Sequence, residues 1–251
     1  MVDRIRTRGS VRNAVVWGSV QAALVNAADD VGRHQLQILD AGGGTGGFAV
    51  PLAELGHHVT VVDASPDSLA ALELRAAEAK VGHLVHARQG DAAALLDTVS
   101  ADAFDVAICH SVLEVVDDPL AVLTAVRASL RAGGLISVVV ANTVATVLHK
   151  AVAGRLDEAL YALRDRQGRS GPRDPLPRRF SLPDLQGLLA AAGFVLETVE
   201  GVRVFADVVP AGLIDADPRA VETLIVLEVE AARVPALREV AAQLHALARR
   251  A

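Results

Sequence analysis

The run Leu36 to Gly47, LQILDAGGGTGG, constrains this chain more than any other stretch. An apolar run that stops at an acid and then at clustered glycines reads as a buried strand, a tight turn and the start of a helix. Glycine takes backbone dihedrals that other residues avoid and leaves no Cβ between the main chain and a ligand. A helix beginning behind such a turn offers unpaired N–H groups and the positive end of its dipole. This is the opening unit of an open α/β sheet, which binds nucleotide-like ligands beyond the carboxyl ends of its strands.

Two fingerprints overlap in the loop. Gly42, Gly44 and Gly47 fit the G-x-G-x-x-G of dinucleotide binders, and Gly42, Gly44 and Gly46 fit the G-x-G-x-G of S-adenosylmethionine users. Neither is specific alone, and a tight turn with no ligand fits the glycines as well. The neighbouring strand ends add information. Asp40, directly before the loop, opposes a pyrophosphate but suits the ammonium of an amino acid. The second strand, His58 to Val62, ends at Asp63, whose carboxylate can accept both hydroxyl hydrogens of a ribose. A third stretch, Leu84 to Ala87, runs into Gln89-Gly90-Asp91-Ala92, where an acid is placed to accept from an adenine amino group. The fourth strand, Phe104 to Cys109, ends in His110.

Size and composition set outer limits. A chain of 251 residues makes one large domain or two small ones. It is 52% hydrophobic but only 3% aromatic, so its core must be built from Val, Leu and Ala. A net charge of −6 means that any nucleic-acid contact must come from a local basic patch. The lone Cys109 excludes an intramolecular disulfide and a cysteine metal cluster, and reads as core packing. The eight histidines are scattered, and His57-His58 has no partner acid at ligand spacing, so no metal is expected. No apolar run approaches the roughly 20 residues of a membrane span. The charged start MVDRIRTRGSVRN has no apolar signal region behind it. The expectation is a cytoplasmic protein without a membrane segment.

From Leu36 to Val140 strands alternate with helical patterns over Gly46–Leu55, Pro66–Ala79, Ala92–Leu96 and Pro119–Leu130, as in a parallel sheet with right-handed crossovers. Ser65-Pro66 is an N-cap followed by a helix-starting proline, and Gly56 reads as a C-cap. Arg131 to Gly134 turns into a fifth strand, Leu135 to Val140. Beyond it the chain predicts helix over Val144–Arg164, a Pro/Gly loop over Gln167–Arg179, and a helix Leu182–Ala192 capped by Ser181. A strand then starts near Phe194, followed by a last strand Val221–Glu230 and a closing helix Pro235–Arg250. The best division is a single domain over 1–251. It comprises an N-terminal helical segment 1–35, a ligand-binding core 36–141, an insertion 142–180 after strand five, and a C-terminal part 181–251.

With DAGGGTG, Asp63, the Gly90-Asp91 corner and the Gly133-Gly134 turn, the chain resembles the class I S-adenosylmethionine-dependent methyltransferases. Further segments narrow the likeness: Leu39 to Gly44, His110 to Val116, Asn142 through Leu148-His149 to Gly154, and Gly201-Val-Arg-Val-Phe205. These resemble the tRNA 5-carboxymethoxyuridine methyltransferase family, which methylates the carboxylate of a modified wobble uridine. The likeness runs from about Arg12 to the last strand. It implies a Rossmann-like α/β fold, a mostly parallel seven-stranded sheet with helices on both faces and a helical and loop insertion after strand five. It also implies S-adenosyl-L-methionine as cofactor and S-adenosyl-L-homocysteine as product. The resemblance puts cofactor contacts on Arg12, Gly42, Gly43, Asp63, Gln89, Gly90 and His110, and the reading of the loop and strand ends adds Asp40, Gly44, Ala64, Asp91 and Ala92.

Methyl transfer from a sulfonium is an in-line displacement, and a carboxylate nucleophile is already ionised at neutral pH. No general base is needed, and most of the rate comes from alignment, worth up to roughly 7–11 kcal/mol. His110 is a candidate base only if the nucleophile is a hydroxyl; otherwise it contacts the cofactor or is structural. Arg203, between Val202 and Val204, suits a substrate carboxylate or phosphate, or an internal ion pair. Asn142 and His149 flank the sheet edge where substrate enters, with capping or solvation as the alternative. Glu114, four residues after His110, reads as a local partner only. The segment Arg164–Arg179 holds six arginines against Asp165 and Asp174, a patch able to neutralise phosphates of tRNA or to be a solvated loop. Arg4, Arg6 and Arg8 form a second patch. Open alternatives are a methyltransferase for a small-molecule carboxylate or hydroxyl, an NAD-dependent oxidoreductase, and a non-catalytic adenosyl-binding module.

Overall fold

Strand β1 (Gln37–Ala41) forms where Ile38, Leu39 and Ala41 are wholly shielded from water. A strand covered on both faces must be apolar throughout, which is the mark of a parallel sheet with helices on either side. The computed structural model describes the backbone of residues 2–210, 212 and 217–251, and the side chains of 14–210, 212, 217 and 219–251. After α1 (Val2–Val31), the chain alternates β1, α2 (Ala49–Glu54), β2 (His58–Asp63), α3 (Pro66–Glu78) and β3 (Val85–Gln89). A 3₁₀ turn (Ala92–Asp97), β4 (Phe104–His110), α4 (Pro119–Ser129) and β5 (Leu130–Ala141) follow. The remainder is α5 (Thr143–Val152), α6 (Leu156–Arg164), α7 (Leu182–Ala191), β6 (Phe194–Val202), α8 (Pro218–Ala231), α9 (Pro235–Val240) and β7 (Gln243–Arg250).

The strands form one seven-stranded sheet in the order β3-β2-β1-β4-β5-β7-β6. The pairs β1–β2, β1–β4 and β2–β3 are parallel, in a register that sets Asp40 beside Ile108 and Asp63 beside Gln89. That register brings the ends of β1, β2, β3 and β4 to one edge, as the alternating pattern predicts. Two compact units make up the chain. One comprises Ala22–Val138, Gln186–Thr198 and Ala246–Ala251, and the other Met1–Gln21, Val139–Leu185 and Val199–His245.

Local signals fix most element starts. Ser65 Oγ accepts from Ser68 N at 3.2 Å ahead of Pro66, and Asp118 Oδ1 accepts from Leu120 N at 2.9 Å ahead of Pro119. Ser181 and Asp184 form a reciprocal cap on α7, with Asp184 N donating to Ser181 Oγ at 3.3 Å and Ser181 N to Asp184 Oδ2 at 3.1 Å. Gly154, at φ +73°, ends α5 and divides the expected helix Val144–Arg164 into α5 and α6. Strand β5 starts at Leu130, ahead of the expected Leu135, and carries the Gly133-Gly134 corner within it.

The last two elements are the reverse of the expectation. Val221–Glu230 lies in helix α8, and Gln243–Arg250, expected within a closing helix, is strand β7. Helix α8 is started by Asp217, whose Oδ1 accepts from Arg219 N at 2.9 Å, with Pro218 at its first position. Leu224, Glu228 and Ala231 are buried at helical spacing, while Val226, Leu227 and Val229 are exposed. The β-branched content of the segment points to a strand, but the cap and the 3.6-residue period decide it. In β7, Leu244 through Ala248 are all buried, so coverage on both faces overrides the helix propensity of an Ala/Leu sequence.

Candidate functional site

Between β1 and α2 the glycine loop lies over the end of β1. Gly42 (φ +74°), Gly44 (φ +53°) and Gly46 (φ +78°) occupy the left-handed region. Three of the loop glycines are also demanded by space, Gly46 among them with a Cβ that would sit 2.3 Å from Leu72 Cδ1. A Cβ on Gly43 would sit 2.4 Å from Asp40 Cγ, and one on Gly42 would sit 2.5 Å from Val112 Cγ2. The main chain is thus folded directly onto the Asp40 carboxyl, with no room for a side chain. Gly47, the residue that only the dinucleotide fingerprint uses, has nothing within 4 Å of a Cβ.

Asp63, at the end of β2, ties this loop in place. Its Oδ2 accepts from Gly44 N and its Oδ1 from Ser65 N, each at 2.9 Å. Gly42 N donates to Val62 O at 2.7 Å and Gly90 N to Asp63 O at 3.1 Å, so the turns after β1 and β3 are both anchored on β2. Gly90 is pressed against Thr98, where a Cβ would meet Oγ1 at 2.5 Å. Gln89 Nε2 donates to Ala64 O at 3.3 Å, and Asp91 Oδ1 caps the 3₁₀ turn by accepting from Ala93 N at 2.8 Å. Ala64 and Asp91 are exposed and Ala92 half-buried, beside the same loop.

Asp40 is 3% exposed. Burial first, and then the neighbouring Asp63 charge, push its carboxyl up to about 7. Cys109 is fully buried, and burial, followed by Glu114 and Asp40, raises its thiol far above the ordinary range. It is a core side chain and not a nucleophile. His110 Nε2 and Ser137 Oγ are 2.8 Å apart, and the imidazole meets the Phe48 ring edge-on with centroids 4.6 Å apart. The chain turns sharply after it, Ser111 having φ +57°. Glu114 is buried at 2% exposure.

These residues from Asp40 to His110 all belong to one compact unit. Arg12 falls in α1, but its side chain, like those of Arg4, Arg6 and Arg8, lies outside the described residues. Sequence reasoning missed Val112, Thr98, Ser137 and Phe48, because an apolar or hydroxyl side chain carries no motif signal until the fold sets it against a glycine or a histidine.

Asn142, His149 and Arg203 belong to the other unit. The Asn142 carboxamide is 2% exposed and engaged with the chain itself. Its Oδ1 caps α5 by accepting from Val144 N at 3.0 Å, and its Nδ2 donates to the carbonyls of Glu239 at 2.9 Å and Ala241 at 2.8 Å. His149 is half-buried in the last turn of α5. Arg203 follows β6 at φ +61°, and its guanidinium forks onto Asp207, with Nε 3.2 Å from Oδ1 and a second bond to Oδ2.

The arginine segment is partly self-neutralised. Arg179 holds Asp174 with two parallel bonds of 2.8 and 3.0 Å, and Arg169 holds Asp165 at 2.7 Å. Burial opposes ionisation of Asp174, but Arg179 and the Ser170 and Leu176 amides outweigh it and hold the carboxyl far below the usual range. Arg164, Arg166 and Arg173 are exposed. A cleft of about 470 Å³ opens between α5, α6 and this loop, with Lys150, Tyr161 and Arg173 among its lining. Among the described residues no cluster of His, Cys, Asp and Glu is placed to hold a metal, and no helix is long and apolar enough to cross a membrane.

Comparison with known proteins fits this arrangement. The family model described as a methyltransferase domain matches residues 39–136, the stretch from β1 into β5. The tRNA 5-carboxymethoxyuridine methyltransferase of Escherichia coli is 32% identical over 209 residues, covering 80% of this chain and 74% of that protein. The ubiquinone biosynthesis O-methyltransferase of Cereibacter sphaeroides is 39% identical over 100 residues, 40% of this chain and 39% of that one. In three dimensions the magnesium protoporphyrin IX methyltransferase of Synechocystis, solved with bound S-adenosylhomocysteine, superposes with a TM-score of 0.61. That match covers 100% of this chain and 94% of the other at 16% identity, which shows a shared fold.

Proposed function

The chain belongs to the S-adenosylmethionine-dependent methyltransferase family, and from that premise we propose that it methylates the carboxylate of a 5-carboxymethoxyuridine-type wobble uridine in tRNA. The observation that carries this reading is the kinship with the Escherichia coli tRNA methyltransferase, which extends beyond the cofactor half of the chain. The match to the ubiquinone enzyme is confined to about 100 residues. A tRNA acceptor places the reaction in the cytoplasm, with the chain working as one methyltransferase domain.

The glycine loop suits S-adenosylmethionine better than a dinucleotide. Gly43 lies on the Asp40 carboxyl, an acid that would repel a pyrophosphate and attract an ammonium group. When bound, the cofactor supplies an electrophilic methyl on a sulfonium. Asp63 keeps one lone pair on each oxygen after serving Gly44 and Ser65, enough to accept from two ribose hydroxyls. Asp40 holds the amino-acid ammonium, the Gln89–Ala92 corner receives the adenine, and Ala64, Gly42 and His110 line the remainder. Arg12 lies N-terminal to this core and is assigned to the cofactor on family resemblance. The acceptor carboxylate needs no base, so His110 orients and does not deprotonate. Arg203 holds that carboxylate, and His149 contacts the acceptor from the helix that Asn142 caps. Arg164, Arg166 and Arg173 meet tRNA phosphates.

The test is transfer of labelled methyl from S-adenosylmethionine to tRNA from cells lacking this protein. Label that mild alkali releases marks a methyl ester and supports the reading. Label stable to alkali, or none with S-adenosylhomocysteine binding intact, refutes it; the latter moves the acceptor to a small-molecule carboxylate or hydroxyl. For a tRNA acceptor, KM rises steeply with salt, and Arg166→Ala and Arg173→Ala each reduce the slope by about one.

A further inference from the structure

We propose that Glu228 is the positioning residue of the acceptor subsite, holding Arg203 in the backbone conformation from which its guanidinium meets a carboxylate; this rests on the assignment of Arg203 to the acceptor. Glu228 lies on α8, fully shielded from water. Its Oε2 accepts from Val204 N at 2.8 Å, and its Oε1 from Phe205 N at 2.8 Å and Ala206 N at 2.7 Å. Among the described residues no salt bridge to it is formed. A carboxylate buried against three main-chain amides, with no cation, is a costly device to keep. What it fixes is the segment immediately after Arg203.

Arg203 needs such a device. Its φ of +61° is a left-handed conformation that a non-glycine residue holds only when its surroundings over-determine it. The amides that Glu228 gathers clamp the chain on the far side, and Ala242 N donates to Arg203 O at 3.2 Å on the near side. In that pose the guanidinium presents two N–H groups to the carboxylate of Asp207, four residues on. This fork is the geometry by which arginine takes a carboxylate. Asp207 is thus an internal carboxylate on a partly exposed guanidinium, 29% against 23% exposed, and an incoming acceptor carboxylate takes its place.

A structural role alone predicts a different response from a positioning role, and a double-mutant cycle separates them. Glu228→Gln keeps the volume but has one acceptor oxygen for amides that now use two. With saturating S-adenosylmethionine, Glu228→Gln raises the tRNA KM by about tenfold. It leaves S-adenosylhomocysteine affinity within about twofold. In an Arg203→Ala background the same change adds nothing further. An unchanged KM in Glu228→Gln, or an equal rise in the Arg203→Ala background, overturns the inference. Should Glu228→Gln fail to bind S-adenosylhomocysteine, Glu228→Asp, which keeps the charge and shortens the reach, is read in the same cycle. A wild-type protein that labels no tRNA overturns the proposed acceptor and this inference together, whereas active wild type with an unresponsive Glu228 variant overturns the inference alone.

Discussion

Asp63 and Gly44 are joined by a hydrogen bond of 2.9 Å from the glycine amide to the carboxylate, so the residue ending β2 sets the loop that follows β1. The other oxygen accepts from Ser65 N at 2.9 Å. An asparagine can satisfy only one of these donors and turns its NH₂ toward the other. Asp63→Asn should therefore weaken S-adenosylhomocysteine by about tenfold or more, a hydrogen bond to a charged group being worth roughly 1.5–3 kcal/mol. Asp63→Ala should weaken it further. Calorimetry with unchanged affinity in both variants would refute this placement of the cofactor.

Gly43 and Gly47 make a matched pair. A methyl group at Gly43 meets Asp40 Cγ at 2.4 Å, while one at Gly47 meets nothing within 4 Å. Gly43→Ala must displace the Asp40 carboxyl or the loop, an overpacking cost of about 1–3 kcal/mol. Cofactor affinity is expected to fall about tenfold or more in Gly43→Ala and to stay near wild type in Gly47→Ala. The opposite ranking by titration calorimetry would favour the dinucleotide fingerprint, which uses Gly47.

Asp40 gives the protein a pH signature. Its carboxyl moves from 3.8 to about 7 on folding, chiefly through burial. The folded state binds this proton more tightly than the unfolded chain, so stability falls as pH rises through that window. Above it the cost is on the order of a few kcal/mol. Asp40→Asn, neutral throughout, should be more stable than wild type at pH 8 and equal to it below pH 4. Urea denaturation at the two pH values checks this, and equal midpoints at pH 8 would mean that folding does not raise this carboxyl.

Asp174 carries the opposite sign. Its depressed carboxyl stabilises the fold above the ordinary carboxylate range, and the contribution is lost as pH falls below it. Asp174→Ala strands Arg179, which is 11% exposed, together with the amides of Ser170 and Leu176. Breaking a buried pair from one side costs about 3–5 kcal/mol. A large drop in Tm is expected at pH 7 and a smaller one at pH 3. A Tm drop at pH 3 as large as that at pH 7 would show that the ion pair is not the source.

By itself the sequence determined the alternating elements from β1 to β4. The glycine loop, Asp63, the Gly90 corner and the Ser65-Pro66 cap are short-range signals, each complete within a few residues, and the alternation of strand and helix marks a parallel sheet, whereas the order β3-β2-β1-β4 is set by the tertiary structure. The sequence also carried the correct start signal for α8 in Asp217-Pro218, which the β-branched content of Val221–Glu230 masked. Only the tertiary structure decided that Leu244–Ala248 is a strand between β5 and β6, because an Ala/Leu run is helical unless both faces are covered. It alone showed that the Asn142 amide serves the carbonyls of Glu239 and Ala241, and that the Glu228 carboxylate gathers the amides of 204–206. A buried polar side chain must be satisfied, but which backbone group satisfies it depends on what the fold brings within 3 Å, and that is not written locally.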